Sequence, residues 1–215
     1  MKEMIQELIQ YRHLLYMLTW RDIKIKYKQS IMGFFIASIR FAVNSLVSNM
    51  NLITKIYFPR EVFPLAAVMG NFFDFAVASI LLIIILSIAG IGASIYLVWL
   101  PLLLILLISL AAGLGMLLSC ANLFFRDVKY IVEVLLTMGI FFTPVFYEAE
   151  MFGKWAPVLL LNPVGAILES INAVVVLHQP PDMFWLGYSA IWAIGGLFIA
   201  WIIFHRAEFA FAENI

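Results

Sequence analysis

Residues 75–125 read FAVASILLIIILSIAGIGASIYLVWLPLLLILLISLAAGLGMLLSCANLFF and contain no Asp, Glu, Lys or Arg. At about 1.5 Å per residue, one continuous helix of this length reaches roughly 75 Å, more than twice the ~30 Å hydrocarbon core of a bilayer. The run must therefore fold back, and the glycine-containing stretch 90–94 is the predicted turn. Two membrane spans follow from this, at about 64–89 and 95–118.

The composition of the whole chain agrees with a membrane protein. Of the 215 residues, 65% are hydrophobic and 12% are charged, whereas soluble domains average ~45–50% and ~25%. This composition excludes a soluble domain, a disordered tail and a basic nucleic-acid-binding protein. Lys and Arg number 13, as do Asp and Glu, so net charge indicates no anionic partner. We predict an all-α, polytopic membrane helix bundle that contacts the lipid bilayer and no nucleic acid.

Two more spans are predicted in the second half of the membrane domain, which covers residues 63–215. They lie at about 131–147 and 184–204. The apolar stretch 151–177 between them is interrupted by Pro157 and by Asn162-Pro163. We interpret it as an outer re-entrant hairpin of two half-helices, with a solvent-side loop helix as the alternative.

The N-terminal part divides into two segments. In residues 1–30, apolar side chains recur every three or four residues and four cations follow in residues 20–28. This pattern predicts a cytoplasmic, interfacial amphipathic helix without a cleavable signal peptide. Residues 31–62 are predicted to be a shortened linker and coupling segment, because 31–43 are too few to span a membrane and Arg40 interrupts them.

The placement of cations predicts the topology. Lys and Arg flank the inner ends of the spans, including the Arg126 loop, whereas Lys154 is the lone cation of the other side. By the positive-inside rule, the N-terminus, the Arg126 loop and the C-terminus are cytoplasmic.

The residue types needed for catalysis do not cluster. His13, His178 and His205 fall on different elements or different sides, which gives no basis for a metal site or a catalytic triad. The Gly153-Lys154 pair is followed by Trp155 instead of Ser or Thr, so it is no nucleotide-binding loop. We predict a protein that is not an enzyme and has no catalytic residues, metal or cofactor.

Asp74 is the acidic residue well inside a predicted span. A charge within a membrane costs ~2.5–3.5 kcal/mol or more and marks a functional candidate. The alternative is a carboxyl group hydrogen-bonded to Asn71 or to a neighbouring helix. Small residues at four-residue spacing, such as Gly115 and Ser119, predict close helix packing within the bundle or between protomers.

Two polar segments separate the apolar stretches, at residues 44–60 and 122–130. Both are predicted to be cytoplasmic contacts for a soluble partner that pushes on the membrane helices.

Six motifs together resemble one family. They are Thr19-Trp20-Arg21-Asp22-Ile23-Lys24, Tyr27-Lys28-Gln29-Ser30, residues 44–60, Phe125-Arg126-Asp127-Val128, Thr143-Pro144-Val145 and Leu161-Asn162-Pro163. In this order they are similar to the permease subunits of bacterial ABC exporters for O-antigen, capsule and teichoic-acid polysaccharides.

The resemblance implies an inner-membrane homodimer that binds two copies of a separate ABC ATPase subunit and exports lipid-linked polysaccharide between its protomers. It also implies that the coupling helix matches residues 49–60 and that residues 151–177 form an outer gate. The residues implied in ATPase coupling are Asn49, Asn51, Lys55, Tyr57, Arg60, Arg126 and Asp127. Aromatic residues that could stack on sugars, with lipid or core packing as the alternative, are Phe141, Phe142, Tyr147 and Trp155.

The chain departs from this family in length. Its members carry six membrane helices, and here most of the first and all of the second are missing before the coupling segment. A shortened scaffold or assembly partner that does not transport is therefore an alternative function. An ion-coupled carrier that uses Asp74 is another.

Overall fold

The computed structural model describes residues 12–53, 59–88, 94–145 and 149–214, which form helices and turns without a strand. The α-helices are α1 (Arg12–Ser48), α2 (Met50–Ile53), α3 (Val62–Ile88), α4 (Leu100–Phe124), α5 (Val128–Gly139), α6 (Ala156–Leu160), α7 (Pro163–Val175) and α8 (Met183–Asn214). Two 3-10 helices, Ile95–Trp99 and Ala149–Trp155, precede α4 and α6. The predicted all-α membrane helix bundle is confirmed.

Four helical stretches are long and apolar enough to cross a membrane. They are Lys28–Ser48, Val62–Ile80, Ile95–Phe124 and Met183–Ala207. Three of them lie where the sequence predicts spans, but the first lies in the predicted linker. The turn predicted at 90–94 falls mostly outside the described residues, which resume at Ser94.

Helix α1 corrects the prediction for residues 31–62. It continues through residue 48 without a break and crosses the predicted boundary at residue 30. Residues 12–48 contain no proline and one glycine, so nothing in the backbone ends the helix. Arg40 does not interrupt it either, because its guanidinium lies 3.3 Å from the Glu133 carboxylate on α5. The sequence analysis judged this stretch too short to span a membrane because it ended the apolar segment at Val43. The helix continues to Ser48.

Contacts between helices define two ends of the bundle. At the first, which we call the Phe124 end, α1, α4 and α8 finish and α2 packs against them. At the other, the Asn162 end, the Asn162 side chain donates to Thr143 Oγ1 (3.1 Å) and the Tyr188 hydroxyl donates to the Leu161 carbonyl (2.7 Å). The α6–α7 hairpin lies at the Asn162 end.

The two ends of the bundle separate two residues that the sequence analysis placed on one side of the membrane. The Lys28 ammonium lies 3.4 Å from Glu169 on α7, at the Asn162 end. His205, near the end of the last candidate span, lies at the Phe124 end, 3.5 Å from Glu61. The sequence placed both on the cytoplasmic side, but one continuous helix α1 carries the chain from one end to the other.

Helix α5 is shorter than the span predicted at 131–147. Its 12 residues reach about 18 Å, well short of the ~30 Å core. Turns follow over residues 140–145. Pro144 disfavours helical backbone at Thr143, which explains why the helix does not resume there.

The α6–α7 hairpin has the break that its sequence predicts. The two helices meet at 114° around Asn162 and Pro163. Asn162 caps α7, since its side-chain oxygen accepts from the Val164 N–H at 3.1 Å, and Pro163 occupies the first turn.

Replacing Asn162 with Ala is expected to lower stability by about 1–2 kcal/mol, since both the cap and the bond to Thr143 are lost. Thermal unfolding of the detergent-purified protein measures this change. Asn162→Asp keeps the cap and loses only the donation to Thr143, so its melting temperature should lie between those of wild type and Asn162→Ala. An unchanged melting temperature for Asn162→Ala would show that the cap does not hold the hairpin.

Glycines on α4 let its neighbours approach closely. A Cβ added at Gly115 would lie 2.8 Å from the Ala42 Cβ on α1. One added at Gly113 would lie 3.0 Å from the Leu197 Cα on α8. Gly115, which the sequence analysis singled out, therefore packs within the bundle, and so does Gly113.

Candidate coupling and transport surfaces

The two polar segments predicted to contact a partner meet at the Phe124 end. Asn122, 2% exposed, joins them. Its side-chain nitrogen donates to the Val43 carbonyl near the end of α1 at 3.1 Å, and its oxygen accepts from the Lys129 N–H at the start of α5 at 3.2 Å. One buried amide therefore holds α1, α4 and α5 together where the turn 125–127 leaves the bundle.

Helix α2 is anchored in the same end of the bundle. Ile53, 7% exposed, belongs to a buried apolar cluster with residues of three candidate spans: Leu46, Met116, Cys120, Ala200 and Phe204. The Asn49 carbonyl begins α2 by accepting from the N–H groups of Leu52 and Ile53. Helix α2 therefore shares one buried apolar cluster with α1, α4 and α8.

The predicted coupling residues divide by exposure. Asn51, Arg126 and Asp127 are exposed, whereas Asn49 and Arg60 are half-buried. The Asn49 side chain donates to the Ser45 carbonyl at 2.8 Å, which fixes it to its own chain segment. Lys55 and Tyr57 lie outside the described residues.

A second link at the Phe124 end joins α8 to the start of α3. Glu61, 8% exposed, lies 3.5 Å from the His205 ring. Sequence reasoning missed both Glu61 and Asn122 as structural links. Each of these residues is a polar residue at the end of an apolar run. That pattern can indicate burial, but it does not show which residue the side chain contacts.

Asp74 lies on α3 and lines a groove that α3 shares with α1. Its side chain is exposed. The Asn71 amide donates to the Ala67 carbonyl at 2.7 Å instead of to Asp74. The carboxylate therefore faces the open groove.

The predicted sugar-stacking residues follow α5 or precede α6, close to the Asn162 end. Phe141, Phe142 and Trp155 are all exposed, and Tyr147 lies outside the described residues. Helix α8 adds an aromatic series that sequence reasoning missed. Consecutive rings lie 5.2–6.3 Å apart in the order Phe184, Trp185, Tyr188 and Trp192. The close spacing of these four aromatic residues in the sequence could have predicted that their rings lie side by side on one helix.

Among the described residues, no group of three or more His, Cys, Asp and Glu side chains could hold a metal ion. This part of the chain has a polar surface at the Phe124 end, an open groove that contains Asn44, Asn71 and Asp74, and exposed aromatic rings.

Comparison with known proteins identifies relatives over the whole chain. It is 25% identical to the O-antigen export system permease protein RfbA of Myxococcus xanthus, with all of both chains covered. Two proteins of the same description from Klebsiella pneumoniae are each 27% identical, over 83% of this chain and 70% of theirs. No protein-family model matches the chain. The resemblance to O-antigen export permeases is confirmed, and the chain is a multi-pass membrane protein.

The alignment with the Myxococcus protein also bears on length. It covers 260 positions, whereas the chain has 215 residues, so at least 45 aligned positions have no counterpart here. A membrane hairpin of two ~20-residue helices has about this many residues.

Proposed function

We propose that this chain is the membrane permease subunit of an ABC transporter that exports lipid-linked polysaccharide across the bacterial inner membrane. A separate ATPase subunit supplies the energy, and two copies of the chain form the permease. The relatives, which are O-antigen export permeases, support the substrate class and the transporter type.

The observation that carries this proposal is the anchoring of α2. A coupling helix must be reachable by a soluble partner and firmly joined to membrane helices. Asn51 on α2 is exposed, whereas Ile53 is buried among residues of α1, α4 and α8. In this proposal, closure of an ATPase dimer against α2 is transmitted to the membrane helices through this shared cluster.

The Phe124 end faces the cytoplasm in this proposal. The segments implied in ATPase coupling lie at this end, and they include the exposed side chains of Asn51, Arg126 and Asp127. The α6–α7 hairpin then forms the outer gate.

Replacing Arg126 with Glu is expected to weaken binding of the ATPase while the permease still folds. The side chain is exposed in the turn 125–127, so reversing its charge disturbs the partner surface and leaves the core intact. Co-purification with an ABC ATPase encoded beside this gene measures the binding.

Lys154→Glu is the matched control, since Lys154 is also exposed and lies in the 3-10 helix before α6, on the gate side. It should leave the yield of ATPase unchanged. Equal ATPase recovery with Arg126→Glu and Lys154→Glu would contradict docking at the Phe124 end.

A second candidate function is a shortened scaffold or assembly partner that does not transport. The 45 positions without a counterpart favour it. Expression of this chain in a strain without its own O-antigen permease distinguishes the two candidates, since only a permease restores polysaccharide at the cell surface.

A further inference from the structure

A groove of about 560 Å³ separates α1 from α3 and runs inward from the Phe124 end. On α1 its lining residues are Phe41, Asn44, Ser45, Ser48 and Asn49. On α3 they are Phe63, Ala66, Ala67, Gly70, Asn71 and Asp74. Both sets recur at three- and four-residue spacing, so each forms one stripe along its helix.

The groove carries polar side chains at membrane depth. Asn44 lies within the candidate span Lys28–Ser48, and Asn71 and Asp74 lie within Val62–Ile80. Polar and charged side chains in membrane helices face the protein interior or a water-filled cavity because hydrocarbon does not solvate them. Met69, on another face of α3, is exposed and apolar, as a lipid-facing residue should be.

The length of the groove suits a path from the Phe124 end toward the membrane centre. Phe63 and Asp74 are 11 residues apart on α3, which corresponds to about 16 Å, or roughly half of the hydrocarbon core. The space beside Gly70 is open, since a Cβ added there would meet no atom within 4 Å.

The groove presents hydrogen-bond acceptors. The side-chain nitrogen of Asn44 donates to the Arg40 carbonyl (3.1 Å) and that of Asn71 to the Ala67 carbonyl (2.7 Å). Each bond uses one of the two N–H donors of its amide and leaves the amide oxygen for a ligand, next to the Asp74 carboxylate. These acceptors match a ligand that has many hydroxyl donors and carries no negative charge where it meets Asp74.

We propose that the groove between α1 and α3 binds a hydroxyl-rich segment of the glycan on the cytoplasmic side, before the glycan passes between the protomers. This inference rests on the proposed function, because that function supplies the glycan. Ser48, Asn71 and Asp74 contact the sugar hydroxyls.

Accessibility to water tests the groove without requiring export. In a Cys120→Ala background, single cysteines replace Ser48, Asn71 or Met69, and inverted membrane vesicles receive a charged, membrane-impermeant thiol reagent. Cysteines at 48 and 71 are expected to react at least ~10-fold faster than the Met69→Cys control, because the reactive thiolate forms only in water. Equally slow reaction at all three positions would overturn the proposal, since lipid or a second copy of the chain would then fill the groove.

Blocking the groove tests its role in export. In cells that carry the ATPase, Gly70→Trp is expected to abolish surface polysaccharide while the complex still forms. Gly187→Trp is the matched control, because a Cβ at Gly187 also meets no atom within 4 Å and that residue lies on α8, away from the groove. Its export should equal that of wild type.

Wild-type export by Gly70→Trp would overturn the inference. A loss of dimer in Gly70→Trp would also overturn it, since the groove would then be a protein interface. If wild type itself exports nothing, the proposed function fails. The cysteine labelling does not depend on export, so it still shows whether the groove is open to water.

Discussion

Replacing Gly113 with Leu is expected to separate α4 from α8 and to lower stability by about 1–3 kcal/mol or more. The added Cβ would lie 3.0 Å from the Cα and 3.1 Å from the nitrogen of Leu197. Because these are backbone atoms, a rotamer change does not relieve the clash and the helices must move apart. Thermal unfolding of the detergent-purified protein measures the loss, at about 2–4 °C per kcal/mol for a chain of this size.

Gly195→Leu is the control for this substitution. It makes the same change in helix propensity, about 0.8–1 kcal/mol in favour of the variant, and a Cβ at Gly195 meets no atom within 4 Å. It should be as stable as wild type or more stable. A Gly113→Leu protein that unfolds at the temperature of Gly195→Leu would show that α4 and α8 are not packed at this distance.

Replacing Asn122 with Leu is expected to uncouple ATP hydrolysis from the membrane helices. The variant loses the hydrogen bonds to the Val43 carbonyl and the Lys129 N–H and leaves both groups without this partner, at about 1–3 kcal/mol for each. The turn 125–127 is then no longer held to the end of α1. The stimulated ATPase rate of the purified complex measures coupling, and ATPase recovery measures binding.

Ser109→Leu is the control, since Ser109 lies on the same helix and the described bond of its side chain stays within that helix. We expect Asn122→Leu to bind the ATPase with little stimulation and Ser109→Leu to retain stimulation. Equal stimulation in both variants would show that the Asn122 link is not part of the coupling path.

Local sequence patterns predicted much of the fold. The charge-free run 75–125 requires apolar helices, and Asn162-Pro163 requires a break, because both follow from residues close together in the chain. The continuity of α1 was not predictable in this way. Arg40 reads as an interruption until Glu133, 93 residues away, is placed beside it. The position of Lys28 at the Asn162 end was missed for the same reason, because its ion-pair partner Glu169 is 141 residues away in the sequence.

The candidate site shows the same limit. The segments that form the Phe124 end were recognised from their polarity and motifs. Which residues join them was not, because the partners of Asn122 and Glu61 belong to other helices. The groove also needs two helices, since Asn44 and Asn71 share a surface only once α1 packs against α3.

The central claim is that this chain transmits ATP hydrolysis by a separate subunit to its membrane helices. The direct measurement is the rate of ATP hydrolysis by the neighbouring ABC ATPase, alone and in a complex with this chain in lipid nanodiscs. We predict a stable complex whose rate differs from that of the ATPase alone and which responds to added lipid-linked polysaccharide. An ATPase that neither binds the folded chain nor changes its rate would contradict the account.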